Sequence, residues 1–287
     1  MAIRSCLPVP ALSVERIQFL LNLIVYKAEF FLRASTGRGI DDISPGLVQG
    51  PVPVGATLAV LDNDTRRIIE ELGLTSVGHM RAISEFTQLN APIPRPVLNL
   101  SAEVFTAFAN AALNVSTLTP PFNVYASTTN FLVAATFVSS LLQQYYAGLI
   151  PSTVGSVQQR LVAGIALSEA AGYGVLRAQL YPRVNQTVSP YTFTLGRLFN
   201  LITELINRLG GCGVKDEGLT VPLQLGAENQ TTSNVVPADV NSLAYPRTER
   251  ELLRIVFGTG NATRPGAIFP AGFNGTLFRR IVLQRLA

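Results

Sequence analysis

Apolar residues recur every three or four positions over four long stretches of the chain, the period of a helix with one buried face. The four stretches cover residues 13–34, 62–87, 126–149 and 153–181. In the first stretch Leu20, Leu23 and Phe31 share a face, and Ser13 precedes them at the predicted N-cap position. The pattern therefore predicts an all-α protein built on four long helices.

A long connection, residues 88–125, separates the second and third predicted helices, and it is rich in proline. It contains one short predicted helix, at residues 101–112. A connection of this length allows the chain to travel from one end of a bundle to the other. The sequence therefore predicts a four-helix bundle with one long crossover.

The chain beyond the bundle has a different character. An amphipathic fifth helix is predicted at residues 191–209, and the pair Gly210-Gly211 ends it. The remaining tail is rich in glycine, proline and asparagine, with one short helix near residues 247–257, and we expect it to wrap the bundle. We predict a single domain, residues 1–287, with the bundle at about 13–181 and the wrapping segment at 210–287.

Composition raises the question of a membrane, because 48% of the residues are hydrophobic and only 14% are charged. No charged residue lies between Glu103 and Arg160. The longest apolar run there, Phe131 to Leu142, is too short to span a bilayer. A helix that is apolar all round belongs inside a bundle, so we predict a buried central helix and no membrane insertion.

The net charge of +4 comes from arginines scattered singly along the chain. Without a Lys/Arg run or an aromatic platform, the sequence does not indicate a nucleic-acid partner. It has no glycine-rich phosphate loop either, since the stretch "FGTGN" at 257–261 follows no predicted strand. We predict no cofactor.

Seven N-x-S/T triplets occur, where chance would give about two. They begin at Asn63, Asn99, Asn114, Asn185, Asn229, Asn261 and Asn274. The excess favours a secreted glycoprotein of the extracellular space, cell wall or vacuole. Accidental triplets in a cytosolic protein are the alternative.

Two cysteines, Cys6 and Cys212, are consistent with an oxidising compartment. A disulfide between them would tie the N-terminal arm to the chain after the last long helix. The start "MAIRSCLPVP" lacks the apolar core of a signal peptide, and we interpret the chain as a mature form with an added Met.

Five stretches carry a family resemblance. They read "LNL…KAEFFLRAS" (21–35), "VGHMRAI" (77–83), "RLVAGIALSE" (160–169), "GVKDEGL" (213–219) and "YPRTERELLRIVFGTGN" (245–261). With them the chain resembles the plant desiccation-related proteins of the ferritin-like superfamily, from about residue 14 to the tail. The resemblance implies a ferritin-like four-helix bundle and an extracellular plant protein.

Ferritin-like bundles often hold two metal ions between inward carboxylates and E-x-x-H pairs. In this chain the pair of the second helix reads Ser76 and His79, and that of the fourth helix reads Glu169 and Gly172. The resemblance places the inward acidic positions of the first helix on Ile24 and Lys27.

Only His79 and Glu169 remain as candidate metal ligands, which is too few for a pair of metal ions. The ammonium of Lys27 would repel cations further. We predict that the centre holds no metal and that the protein is not a ferroxidase.

Lys27, His79 and Glu169 allow two interpretations. They form a buried ion-pair network in a structural protein, protective or associated with the cell wall, because buried charges need partners. Alternatively they line a metal-free pocket for a small apolar plant metabolite. The oligomeric state is open under both.

In a pocket, Lys27 would be an imine-forming nucleophile or proton shuttle, His79 a general acid/base, and Glu169 the group that orients them. Ser76 would add a hydroxyl, although it lacks the strained turn of a serine nucleophile. The candidate lining residues are Ile24, Tyr26, Gly172 and Tyr173. Such an enzyme would be a cyclase, isomerase or lyase of specialised metabolism.

Overall fold

A computed structural model describes residues 6–87 and 92–284, and it confirms the predicted all-α fold. The long helices are α1 (Ser13–Thr36), α3 (Asn63–Thr87), α5 (Thr128–Leu149) and α6 (Ser156–Leu180). The shorter helices in the described ranges are α2 (Ile40–Ile43), α4 (Ala102–Leu113), α7 (Leu195–Gly210), α8 (Glu249–Val256) and α9 (Thr276–Leu283).

The four long helices pack as two pairs. Helix α1 lies along α3, and α5 lies along α6, while smaller contacts join α1 to α5 and α3 to α6. The connection between α3 and α5 carries α4, and its residues 88–91 lie outside the described ranges. It also carries the strand β2 (Ile93–Pro94), which pairs in parallel with β1 (Val48–Gln49). The sequence did not predict this short sheet.

Helices α1 and α5 form the centre of the core. Most of their residues are buried on every side, as expected for helices that are apolar all round. Phe30 of α1 stacks on Phe131 of α5 and on Phe105 of α4, and Tyr125 contacts all three rings. The charge-free stretch of the sequence therefore builds the centre of the bundle.

The C-terminal tail covers one side of α1. Phe273 packs against Phe19, and Phe269 meets the ring of Tyr26 edge-on. The carboxylate of Glu249 in α8 pairs with the guanidinium of Arg16 in α1, and both side chains are buried. Apolar contacts and a buried ion pair together hold the tail on the bundle.

The N-cap of α1 and the first residue of α7 differ from the sequence prediction. Ser13 is the first residue of α1, and its hydroxyl accepts a hydrogen bond from the Val154 amide (2.9 Å), so Leu12 is the N-cap. Helix α7 begins at Leu195 with Thr194 as its cap, four residues later than predicted. In both cases tertiary contacts or a preceding turn set the first residue.

The predicted disulfide is present. Cys6 and Cys212 are bonded, with their Cα atoms 5.6 Å apart. The bond joins the N-terminal arm to the turn that follows α7.

By length and composition, one segment of the described ranges is apolar enough to cross a membrane. This is Ser156–Arg183, with a mean hydropathy of 1.2, and half of its most apolar window is buried inside the bundle. A core helix of a soluble protein passes the same test.

Candidate functional site

Glu169 of α6 lies at the centre of the bundle and binds two side chains. Its Oε2 is 2.6 Å from Nζ of Lys27 on α1, and its Oε1 is 3.2 Å from Nδ1 of His79 on α3. The side chains of Lys27 and Glu169 are 1% and 0% exposed. Three helices therefore bring together the three charged or titratable groups that the sequence singles out.

Ser76 lies on α3 one turn before His79 and is fully buried. Its hydroxyl donates to the carbonyl of Leu72 at 3.0 Å, a common hydrogen bond for a serine within a helix. The structure gives it no hydrogen bond to Glu169 or Lys27, so the hydroxyl is already engaged within α3.

Opposing effects act on the carboxyl of Glu169. Burial disfavours the charged form, but the charge of Lys27 and the hydrogen bonds from His79 and Lys27 outweigh it, and the pKa of Glu169 falls below its ordinary value. The ammonium of Lys27 also lies 5.5 Å from the centre of the Phe31 ring, within the range of a cation–π contact. The carboxylate is therefore ionised at neutral pH and held beside a buried cation.

The space beside Gly172 is occupied. A Cβ at this position would lie 2.7 Å from Cδ2 of Leu72, so the leucine side chain of α3 fills the gap. Ile24 is fully buried in the hydrophobic core. Neither residue opens a pocket beside Glu169.

The two tyrosines proposed as pocket residues point to other parts of the molecule. Tyr26 packs against Phe269 of the tail, and its hydroxyl has no hydrogen-bond partner in the structure. Tyr173 accepts a hydrogen bond from Arg177 and donates one to Asp216, at 2.8 Å and 3.1 Å. The structure does not place either of them at the centre with Lys27.

The centre is closely packed. The two cavities of about 420 Å³ in the described ranges are lined by other residues than Lys27, His79 and Glu169, as are two smaller cavities. Solvent reaches the group only at His79, whose side chain is 12% exposed. At the neighbouring Gly78, an added Cβ would meet no atom within 4 Å, so open space lies beside that position. An external molecule can therefore approach the imidazole but not the ammonium.

Tyr146 of α5 is a central residue that sequence reasoning missed. It is buried, its hydroxyl has no hydrogen-bond partner in the structure, and burial together with the charge of Glu169 raises its pKa well above the ordinary value. The signal was present in the sequence as paired tyrosines in a charge-free helix. The phenol of Tyr146 is therefore close enough to the central group for the charge of Glu169 to act on it.

The residues at the centre do not fit a pair of metal ions. One carboxylate and one imidazole are present, and the carboxylate is already bound to an ammonium. Across the described residues, no group of three or more His, Cys, Asp or Glu is arranged to hold a metal ion. Centres of this kind need several bridging carboxylates.

Comparison with known proteins agrees with this architecture. A family model for the ferritin-like domain matches residues 13–182, more than half of the chain. The chain is a ferritin-like protein. The matched part of this ferritin-like chain runs from α1 to the end of α6.

Two plant proteins of the family are similar over nearly the whole chain. Ferritin-like catalase Nec2 of Nesocodon mauritianus is 41% identical over 288 residues, covering 97% of this chain and 91% of the relative. Desiccation-related protein PCC13-62 of Craterostigma plantagineum is 38% identical over 268 residues, covering 93% and 84%. The chain belongs to the plant desiccation-related ferritin-like family, which confirms the resemblance. No solved structure matches it.

Proposed function

We propose that this protein is a secreted, glycosylated member of the desiccation-related family whose bundle works without metal. The observation that carries the proposal is the 2.6 Å contact between Nζ of Lys27 and Glu169 at the centre of the bundle. The ammonium supplies the positive charge that bound metal ions supply in other ferritin-like proteins. Lys27, Glu169 and His79 then act as a stabilising network that links three helices.

The name of a relative does not by itself imply metal-based chemistry for this chain. Nec2 is named a catalase, but a two-metal reaction on peroxide would need carboxylates at positions where this chain has Ile24, Lys27 and Ser76. We therefore expect neither metal-dependent catalase nor ferroxidase activity.

Metal content tests the proposal. The protein should be produced in a secreting host supplied with iron and manganese, and each element measured per chain. We expect far less than one metal ion per chain and no peroxide decomposition above that of the buffer. One or two ions per chain, lost in the variants Glu169→Gln and His79→Gln, would overturn the proposal.

A matched variant makes the metal measurement sharper. Ile24→Glu, Lys27→Glu and Ser76→Glu together return carboxylates to the positions that the family uses. If this variant folds, we expect it to take up metal that the parent leaves in solution. Equal uptake by both would show that these positions do not control metal binding.

The positions of the seven sequons support the secreted, glycosylated part of the proposal. None of their asparagines is buried, and Asn63, Asn114, Asn185 and Asn229 are exposed. Production in a plant secretory host, followed by mass measurement before and after enzymatic glycan removal, tests occupancy. A mass equal to that of the bare chain would favour the accidental-triplet alternative.

A second candidate function is acid–base chemistry at His79, because it is the one member of the central group that solvent reaches. Glu169 would orient the imidazole through Nδ1, and His79 would exchange a proton with a small metabolite in an isomerisation, cyclisation or condensation. Imine formation is not part of this candidate, since Nζ of Lys27 is shielded and bound to a carboxylate. Turnover of a screened metabolite by the parent, and its loss in His79→Gln, would support it.

A further inference from the structure

A cleft of about 420 Å³ lies between α4, α7 and the loops that flank α4 and follow α8. This α4–α7 cleft is lined by Asn99, Ser101, Glu103, Val104, Ala107, Phe108, Ala111, Leu205, Leu209, Phe257, Gly258 and Ala267. It contains none of the residues of the central group, so it is independent of the network at Glu169. Its volume falls in the range of small-molecule sites.

The cleft is divided into an apolar and a polar part. Its walls carry Phe108, Leu205, Leu209 and Phe257, together with alanines on the exposed face of α4. Its polar groups are Asn99 and Ser101, which precede α4, and Glu103 in the first turn of α4. A mostly apolar wall with a few polar groups at one end is the usual form of a site for a small organic ligand.

Glu103 is the one ionisable side chain among the residues that line the cleft. Hydrogen bonds from its own backbone amide and from Ser101 hold its pKa below the ordinary value, so the carboxylate stays charged at neutral pH. No lysine or arginine lines the cleft to neutralise it. The cleft therefore presents one negative charge beside an apolar surface in a protein of net charge +4.

The far wall is held in an unusual backbone conformation. Ala267 has φ of 42°, in the left-handed region that residues other than glycine rarely adopt. A Cβ added to Gly258 would lie 3.2 Å from the Cβ of Ala267 and 3.6 Å from the ring of Phe108. Gly258 belongs to the "FGTGN" stretch, which the central network does not explain. A fixed loop of this kind gives the cleft a definite shape.

We propose that the α4–α7 cleft binds a small amphiphilic amine, with its apolar body against Phe108, Leu205 and Phe257 and its ammonium on the carboxylate of Glu103. Charge complementarity selects this class. A neutral apolar molecule would leave the carboxylate unused, and an anion would be repelled by it.

Three probes of one skeleton test the charge preference: 4-phenylbutylamine, 4-phenylbutan-1-ol and 4-phenylbutanoate. Calorimetric titration of the full chain at neutral pH should rank the amine first, the alcohol second and the acid last. Because the carboxylate is exposed, its charge should contribute about a fivefold difference in affinity for the amine. Equal affinities for the three, or no binding of the amine, would overturn the proposal.

Three variants locate the binding site. Glu103→Gln should reduce amine affinity to that of the alcohol and leave alcohol binding unchanged, whereas Glu71→Gln, at an exposed carboxylate on α3, should change neither. Ala107→Trp, at an exposed position of α4, should fill the cleft and weaken amine and alcohol alike. Unchanged amine binding in Glu103→Gln or in Ala107→Trp would place the site elsewhere and end the proposal. Failure of the amine to bind would leave the metal measurements on the bundle centre unaffected.

Discussion

A charge inside a protein core is tolerated when a partner and hydrogen bonds offset the hydration that it has lost. Lys27 and Glu169 meet that condition, since each is the partner of the other and His79 adds a hydrogen bond to the second carboxylate oxygen. Removing one partner leaves the other charge uncompensated. Removing both charges together leaves no buried charge without a partner.

We predict that Lys27→Met lowers the free energy of unfolding by about 3–5 kcal/mol, because it leaves the Glu169 carboxylate buried without a cation. The double variant Lys27→Met with Glu169→Gln should recover most of this loss. Chemical denaturation of the parent and both variants measures the difference. A single variant as stable as the double variant would show that the ion pair does not compensate the buried charge.

The stability that the Glu169 carboxylate contributes should decrease as the pH is lowered. Its pKa is lower in the folded protein than the ordinary value of 4.5, so its contribution is complete above that value and is lost as pH falls through the folded pKa. The difference in unfolding free energy between the parent and Glu169→Gln should therefore shrink on acidification from about pH 7 to about pH 3. A difference that stays constant would contradict the lowered pKa.

At the scale of single residues, sequence spacing was informative for side chains on buried helix faces. Together with the family resemblance, it singled out Lys27, His79 and Glu169, which the structure brings together. It gave no information on Leu72 filling the space at Gly172, because that contact depends on how α3 and α6 are aligned. The directions of the tyrosines on α1 and α6 likewise depend on where the tail packs.

Among the helices, α6 carries a pair of glycines in contrasting surroundings. A Cβ on Gly174 would meet no atom within 4 Å, whereas one on Gly172 would press on Leu72. We predict that Gly174→Ala stabilises the protein by about 0.5–1 kcal/mol through helix propensity. Gly172→Ala should be less stable than Gly174→Ala by about 1–3 kcal/mol, because it overpacks the contact between α3 and α6.

Thermal and denaturant unfolding of the two alanine variants provides the comparison. Since both substitutions make the same chemical change two residues apart on one helix, the difference between them isolates the packing term. Equal stability of the variants would show that Leu72 moves aside without cost, and that space beside Glu169 opens easily.

Elements with a long, regular apolar period were predictable, and so were the shorter helices α4 and α8, whereas other short elements were not. The four bundle helices start and end within a few residues of their predicted bounds. Helices α2 and α9 and the sheet of β1 and β2 were missed, because elements of two to eight residues give little periodicity to detect. Their conformation is set by contacts with α1 and with each other.

For the whole molecule, the disulfide is a covalent long-range restraint, since Cys6 and Cys212 are 206 residues apart. Closing so long a loop restricts the unfolded chain strongly. We predict that Cys6→Ser with Cys212→Ser lowers the free energy of unfolding by about 2–5 kcal/mol. Denaturation of the parent, with and without reductant, should show the same loss. The double variant should be insensitive to reductant.

Buried ion pairs also connect the tail to the bundle, and the carboxylates of these pairs lie within motifs that carry the family resemblance. Arg177 of α6 is fully buried and binds Asp216 at 2.7 Å, in the "GVKDEGL" stretch. Glu249, in the stretch that ends at Asn261, binds Arg16 of α1. The sequence alone marked these motifs but not their partners, because the partners are far away along the chain.

The bond between Cys6 and Cys212 closes a covalent ring that includes α1 to α7, with the rest of the tail attached outside it. A protease that cuts one surface loop within the ring produces two fragments that stay joined. Such a nicked molecule keeps its mass, apart from one added water, until the disulfide is reduced. This topology would keep the two parts of the bundle covalently joined after a single cleavage.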